Sequence, residues 1–408
     1  MIAGTNPSVV TDAFPRDPIA AVTHRDPYPY YADLVATKPL YRDADLGLWV
    51  ASSAQAVTAV LTNDACRVRP PNAPVPEAIA GSPAGEIFRR LVRMNDGAGH
   101  CPFNRAIAGV LASVEPNRVI AQSEACAQTL SRELAPTDNP AGLTEFNFRL
   151  SAHVIGSLIG VPREELNRTA QWVGEFVRCV FPGSTPAQIE QGKLASGHLL
   201  NLFGNLYEHD GSRSETGLLA VLARNGGRVG RVDPDVIIAN GIGLLSQAYE
   251  ATAGLIGNSL LALATRPGLR NGFAADVDVA RAIVLEVLRY DPPTHNTRRF
   301  ITHDATAAGQ EMKAGDTILV VIAAANRDPA ANANPHHFDA ARKERRLFTF
   351  GAGAHACPGD AFATAIAQTA VRHLIESGLN FDRLMDQVTY RPSANVRIPI
   401  FDAKGANQ

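Results

Sequence analysis

Helical periodicity runs through most of this chain and constrains its fold more than any other feature. Apolar residues recur at three- and four-residue spacing over 53–61, 117–134, 143–159, 164–180, 188–207 and 215–224. A longer helix is predicted over 235–264, another over 278–290, and an alanine-rich one over 360–377. Strand-like pieces are few: 48–51, 299–302, 317–322 and 396–401. The stretch 327–347, rich in Pro, Asn and Arg, reads as an irregular meander. No internal repeat, low-complexity tract or Ser/Gly linker interrupts the 408 residues. The expectation is one mainly α domain with a small β portion (α+β), spanning residues 1–408.

Charge and cysteine usage narrow the function classes. Lys+Arg number 38 against Asp+Glu 40, a net charge of -2, so the basic excess of a nucleic-acid binder is missing. No apolar run approaches the roughly 18 residues that span a bilayer, and Met1 to Pro15 has neither a basic start nor an apolar core. A cytoplasmic monomer is expected, without nucleic-acid or membrane partners. Five cysteines, Cys66, Cys101, Cys126, Cys179 and Cys357, are widely spaced with no CxxC. Zinc ribbons and thioredoxin-like sites are therefore poorly supported, and the first four read as small buried hydrophobes.

Cys357 stands apart. In Phe350-Gly351-Ala352-Gly353-Ala354-His355-Ala356-Cys357-Pro358-Gly359 three glycines surround one thiol, and a helix starts immediately after. Glycine permits positive φ and close backbone approach to a flat ligand. A sulfur near a helix N-terminus is favoured as thiolate by the dipole and unpaired amides. That combination suits axial ligation of haem iron. A nucleotide loop is disfavoured because Ala356 fills the third glycine position of GxGxxG. A cysteine nucleophile with His355 as base stays open at this point.

The loop resembles the haem-binding signature of the cytochromes P450, FGxGxHxCxG, at every specified position. The resemblance implies that Cys357 ligates haem b as thiolate, with Phe350, Gly351 and Gly359 shaping the haem-binding loop. Glu286 and Arg289, three apart in an otherwise apolar helix, share one face. They are similar to the family's ExxR pair, which ties the core to the meander. Its third partner is commonly an arginine, and His337 occupies that place. Arg299 resembles the arginine that faces a haem propionate, and a guanidinium suits a carboxylate. His100 and His355 are further propionate partners by the same resemblance. The family's HxxxR is broken after His100: Asn104 fills the arginine position and Arg105 follows it, so either Arg105 reaches or that propionate loses an ionic partner. Ala325-Asn326-Arg327-Asp328-Pro329 also matches, and the resemblance runs from about His24 to the C-terminus.

The distal motif departs from the family. Gln247-Ala248-Tyr249-Glu250-Ala251-Thr252 resembles [AG]GxxT, in which an acid precedes a threonine that holds ordered water for proton delivery. Glu250 is the acid, but Ala251 fills the threonine position and Thr252 comes one later. One residue is about 100° of helix, so Thr252 replaces it only through a bulge or register change. Three readings stay open: the substrate donates the hydroxyl; Thr252, Glu250 and water deliver protons from a distorted helix; or oxygen activation is atypical. Ser246 and Gln247 either contact an oxygen-bearing substrate or face helix neighbours. Family architecture adds the 69–85 loop, Phe181, 294–296 (with His295) and 394–396 (with Asn395) as pocket walls.

The implied activity is a haem-thiolate monooxygenase that inserts one atom of O2 into a small or mid-sized organic substrate. No flavin or nicotinamide fingerprint and no fused reductase are present, so electrons from NAD(P)H are expected through an external ferredoxin reductase and ferredoxin. Arg89, Arg90, Arg93, Arg342, Lys343, Arg345 and Arg346 are candidate docking charges or simply solvated ones. The alternatives are a peroxide-driven or reductive haem-thiolate enzyme, a non-catalytic haem- or ligand-binding protein and, more remotely, a cysteine hydrolase.

Overall fold

The computed structural model describes residues 14–70, 73–97, 100–210, 217–228, 233–385 and 388–402. It is mainly helical, with one five-stranded sheet and two two-stranded ones. The central helix, Pro234–Ala264, has 31 residues, about 46 Å at the α-helical rise. Asp233 starts it by accepting the N–H of Asp235, the usual remedy for an orphan amide at a helix start. Between Ile237 and Leu263 most of its side chains are buried, because helices pack against it on several sides. These are Pro140–Ile159, Asp360–Glu376, Pro83–Arg90 and Pro186–Asp210. A hydrophobic run buried nearly all round is what such a central position requires.

The predicted helices form with small shifts at their ends. Ser53 caps Ala54–Leu61 by accepting the Ala56 N–H, and Asp276 caps Val277–Tyr290 by accepting two amides. The helix expected over 215–224 is Leu218–Arg228, with 215–216 outside the described residues. Five short helices escaped the periodicity: Tyr28–Thr37, Pro83–Arg90, Cys101–Ala112, Arg270–Ala275 and Ile322–Asn326. Each of the first three carries proline in its first turn, a position that tolerates the missing N–H but looks like a loop in sequence. The strand expected over 317–322 stops at Val320 because Ile322 already begins a helix.

The five-stranded sheet runs in the order Leu40–Asp43, Leu48–Ala51, Thr317–Val320, Thr297–Ile301, Cys66–Arg67. Only the Leu48–Ala51 to Thr317–Val320 pairing is parallel. Arg299 pairs with Ile318 in the register of the antiparallel neighbour. Period-two alternation then puts Arg299 and Ile301 on the buried face and Arg298 outside. The segment 327–347 holds no helix or strand, as expected of a meander.

Candidate active site: a cysteine loop facing the central helix

The cysteine loop is a tight backbone structure. Gly351 and Gly353 adopt φ of +71° and +68°, a region that L side chains rarely occupy. A Cβ on Gly353 would also lie 3.0 Å from the Leu61 carbonyl oxygen. The Cys357 N–H donates to the Phe350 carbonyl at 2.7 Å, closing the loop. The Gly359 N–H donates to Cys357 Sγ at 3.4 Å, and the helix Asp360–Glu376 begins there. Cys357 is exposed, while Cys66, Cys126 and Cys179 are buried free thiols; the Cys101 side chain lies outside the described residues. Burial among neighbouring groups pushes the Cys357 thiol up, and the Gly359 amide offsets this only in part. A coordinated metal ion deprotonates a thiol outright.

Beside the loop lies a polar cluster drawn from distant segments. His355 Nε2 is 3.0 Å from Asp96 Oδ1, and the His100 and His355 rings stand 4.1 Å apart. Burial first, then His355, pulls His100 down to about 4. The His100 Nδ1 is buried without a hydrogen-bond partner. Arg299 is 6% exposed, and its Nη1 donates to the Arg298 carbonyl at 2.8 Å and to Thr297 Oγ1 at 3.4 Å. Among the described residues no carboxylate lies within ion-pair distance of it. A buried guanidinium without an ion-paired carboxylate and an orphaned imidazole nitrogen next to a glycine-rich thiol loop fit the two carboxylates of a haem. Asn104, on the helix face of His100, donates from Nδ2 to the Ala354 carbonyl at 3.4 Å. Arg105 is exposed, one position further round.

The buried Glu286–Arg289 pair anchors the meander behind the loop. Both side chains are 0% exposed, and Arg289 Nη2 lies 2.7 Å from Glu286 Oε1. Arg289 also donates to the carbonyls of Pro335 at 2.8 Å and His337 at 3.0 Å. Glu286 accepts from Arg345 Nε at 3.0 Å and from the Asp339 N–H at 2.9 Å, with Arg342 Nε at 3.5 Å. His337 thus contributes its backbone carbonyl, and the third cationic partner is Arg345, backed by Arg342. Burial pushes the Glu286 carboxyl up, but these donors outweigh it and hold the group below the ordinary range.

Most of the expected docking charges have partners within the chain. Arg342 and Arg345 serve Glu286, Arg89 pairs with Glu86, and Arg90 pairs with Glu86 and Asp235. Lys343 and Arg346 remain exposed.

On the distal side, the central helix is continuous α-helix through Ser246–Ala253, with no bulge. In this stretch Leu244, Gln247, Ala248, Glu250 and Ala251 are the accessible positions, and all but Glu250 are spaced i, i+3, i+4, i+7 along one face. Thr252 is 1% exposed on the buried side and does not take the place of Ala251. Glu250 pairs with Arg391 at 3.4 Å. Ser246 donates to the Gly243 carbonyl of its own helix at 3.3 Å, and Gln247 Nε2 donates to the same oxygen at 2.9 Å. The segments 294–296 and 394–396 meet: Thr294 bridges Val396, and Asn296 Nδ2 donates to the Ala394 carbonyl at 2.8 Å. Asn395 is exposed at this junction. His295 is 0% exposed, with Nδ1 at 2.9 Å from the Tyr31 hydroxyl. It is a core side chain and not a pocket wall. Phe181 lies in the turn after Leu166–Cys179, under the guanidinium of Arg178.

A family model for cytochrome P450 matches residues 274–392, which hold the ExxR pair, Arg299 and the cysteine loop. The cytochrome P450 monooxygenase PikC of Streptomyces venezuelae is 30% identical over 386 residues, 91% of this chain and 89% of that protein. The chain is a member of the cytochrome P450 family. The biotin biosynthesis cytochrome P450 of Bacillus subtilis is 23% identical over 90% of this chain and 93% of its own length. Among solved P450 structures, CalO2 superposes with a TM-score of 0.81 at 22% identity, covering 95% of this chain and 98% of that one. P450BioI, in complex with hexadec-9Z-enoic acid ligated acyl carrier protein, gives 0.79 at 23% identity, covering 91% and 96%. No helix among the described residues of this P450 is long and apolar enough to cross a membrane.

Proposed function

We propose that this P450 is a haem-thiolate monooxygenase of a single haem domain, inserting one oxygen atom from O2 into an organic substrate with electrons from NAD(P)H through a separate ferredoxin system. The observation that carries the reading is the Cys357 loop, where an accessible sulfur with one amide donor is framed by two left-handed glycines beside uncompensated cationic and imidazole groups. Cys357 would ligate the iron, and Arg299, His100 and His355 would hold the propionates. Haem supplies O2 activation and substrate oxidation when bound.

The residues of the chain then bind, orient and deliver protons. Arg391 pairs with the Glu250 carboxylate and, with Arg178 and Tyr249, lines a polar cleft of about 540 Å³. Glu250 would take protons from water and pass them inward. Ala251, at the C-terminal end of the accessible face, contributes only a methyl group, and Thr252 is turned away. The hydrogen-bonding group that a threonine would supply comes from the substrate. Relatives named for biotin biosynthesis and for 6-deoxyerythronolide B hydroxylation differ too widely for a substrate to be carried over. Specificity must come from this chain's own pocket residues.

The test is the dithionite-reduced difference spectrum with and without carbon monoxide. A strongly red-shifted Soret band that is lost in Cys357→Ser is expected; an unchanged band in that variant would remove the assignment. With haem in place, turnover with NADH, ferredoxin and reductase is then compared with turnover on peroxide, and product formed on peroxide alone would replace the monooxygenase reading with a peroxygenase one.

A further inference from the structure

A second cleft, of about 590 Å³, opens along the C-terminal third of the central helix, and its size is that of a small-molecule site. Asn258 and Leu261 of the central helix line it, with Tyr28 of the helix Tyr28–Thr37, Tyr290 at the end of the ExxR helix, and the segments that carry Arg327 and Arg397. Cys357, Arg299, His100 and His355 take no part in it. Asn258 lies two turns beyond Ala251, about 10 Å along the helix axis. A Cβ on Gly254 would come within 2.7 Å of the Arg397 carbonyl oxygen, so the chain crosses the helix between Ala251 and Asn258 and divides the cleft from the accessible distal face.

Charge in this cleft is unbalanced. Four arginines, Arg25, Arg266, Arg327 and Arg397, face two carboxylates, Asp26 and Asp291. Asp291 is engaged by Arg397, whose Nε lies 3.2 Å from Oδ1, and by the Tyr28 hydroxyl. Arg25 and Asp26 are both exposed. Arg266 and Arg327 are left, and among the described residues neither has a carboxylate within ion-pair distance. Arg327 is 6% exposed. Its guanidinium lies between the rings of Tyr28 and Tyr290, 3.4 and 3.6 Å from their centroids, and its Nε donates to the Tyr290 carbonyl at 2.7 Å. The faces and Nε are thus occupied, and the Nη edge is what the cleft receives. Arg266 lies over Phe338 at 4.4 Å and Tyr290 at 5.2 Å. It donates from Nη1 to its own helix end, to Thr265 Oγ1 at 2.8 Å and the Ala262 carbonyl at 3.4 Å. The Tyr290 ring is common to both guanidiniums and keeps them within reach of one ligand. Aromatic faces hold a cation in place without neutralising it.

We propose that this cleft is a second ligand site, separate from the haem-thiolate centre, and that it binds an organic phosphate monoester with its phosphate between Arg266 and Arg327 and its carbon part against Pro29, Leu261 and Met385. Two uncompensated cations call for two negative charges, which a phosphate monoester brings in one group. Its three terminal oxygens accept from both guanidinium forks at once, whereas the two oxygens of a carboxylate are used up by one fork. A monocarboxylate, a sulfate ester or a phosphate diester carries a single charge and leaves one arginine unpaired. The site stands on its own residues and goes beyond the monooxygenase reading without depending on it.

The test is calorimetric titration of the purified holoenzyme at pH 8 with phenyl phosphate, phenyl sulfate and phthalate, the Soret band being recorded on the same samples. Phenyl phosphate is a dianion at this pH, and phenyl sulfate keeps its shape with one charge fewer. Phenyl phosphate is expected to bind about tenfold or more tightly than either of the others, the step for one further charge-assisted contact, and to leave the Soret band unmoved. Arg266→Gln, at a half-buried position beyond the end of the central helix, should remove the preference, and Arg266→Lys should keep part of it. Arg327→Gln should act as Arg266→Gln does, and the Arg266 pair decides the matter if that variant does not fold. The proposal is overturned if phenyl phosphate gives no binding heat, if it binds no more tightly than phenyl sulfate, or if its preference survives in Arg266→Gln. Tighter binding of phthalate overturns the phosphate assignment, and a Soret shift that persists in Arg266→Gln places the ligand at the haem instead. The carbon monoxide band bears only on the haem-thiolate reading, so the two fail separately.

Discussion

Replacing Glu286 with glutamine keeps the shape of the side chain and removes its charge. The consequence follows from what Glu286 touches. It is 0% exposed and faces three guanidiniums, those of Arg289 at 2.7 Å, Arg345 at 3.0 Å and Arg342 at 3.5 Å. Removing one partner of a buried pair costs about 3–5 kcal/mol, because the other charge is left uncompensated. Here three cations lose their only shared anion. Arg289 keeps the carbonyls of Pro335 and His337, and Arg342 keeps those of Ala333 and Asn334, which holds the loss near the upper end of that range. A urea midpoint lowered by on the order of 1 M is expected, followed by far-UV circular dichroism. Arg345→Met removes one charged hydrogen bond and should cost less, about 1.5–3 kcal/mol. The pH dependence has a definite sign. The Glu286 carboxyl is held below its ordinary range, so its contribution is present above about pH 4.3, the unfolded value, and is lost as pH falls through the lower folded value. The Glu286→Gln variant should lack that acid limb. A loss under about 1 kcal/mol, or an unchanged acid limb, would refute the account of the ExxR pair as a buried anion clamped by the meander.

Four other outcomes are expected. Arg299→Gln should weaken haem retention, measured by transfer of haem to apomyoglobin, without lowering the stability of the haem-free protein, because its cation is buried with no carboxylate partner of its own. Thr252→Val should leave the yield of product per NADH unchanged, since Thr252 sits on the buried side of an unbroken helix; a large rise in peroxide release would restore Thr252 to the relay. Glu250→Gln should lower turnover about a hundredfold with little change in substrate affinity, measured by steady-state kinetics beside a binding titration. His153, 4% exposed and drawn down to about 4 by burial and then by Arg149, stays neutral where an unfolded histidine gains a proton. Stability should therefore fall from about pH 6.5 toward pH 4, and His153→Phe should flatten that slope in chemical denaturation.

The features legible in the sequence share a physical property: their partners are close along the chain. The Cys357 loop is glycine geometry followed by a helix start, and Glu286 and Arg289 sit one turn apart, so both can be seen in a short window. The central helix announces itself because apolar residues fill nearly its whole circumference. What escaped depends on contacts across the fold. Arg342 and Arg345 look like solvated loop charges until the meander folds back over Glu286, more than fifty residues earlier. His295 looks like a pocket residue until the helix Tyr28–Thr37 brings Tyr31 against it, and that helix is itself hidden by a proline in its first turn.

The segment 89–93 is a further case, because arginines with the same local sequence chemistry meet different surroundings. Arg89 and Arg90 lie in the last turn of Pro83–Arg90, where they satisfy Glu86 and Asp235. The helix then ends, Leu91 packs against Gly243, and the backbone turns inward at Val92 to meet Asn240. Three residues after a surface ion pair the backbone is held against the central helix, while Arg93 itself stays exposed. Periodicity cannot report that change of direction, since it is made by a side-chain amide on a helix far away in sequence. A charge in a basic run is therefore weak evidence for a docking surface until its partners in the fold are known.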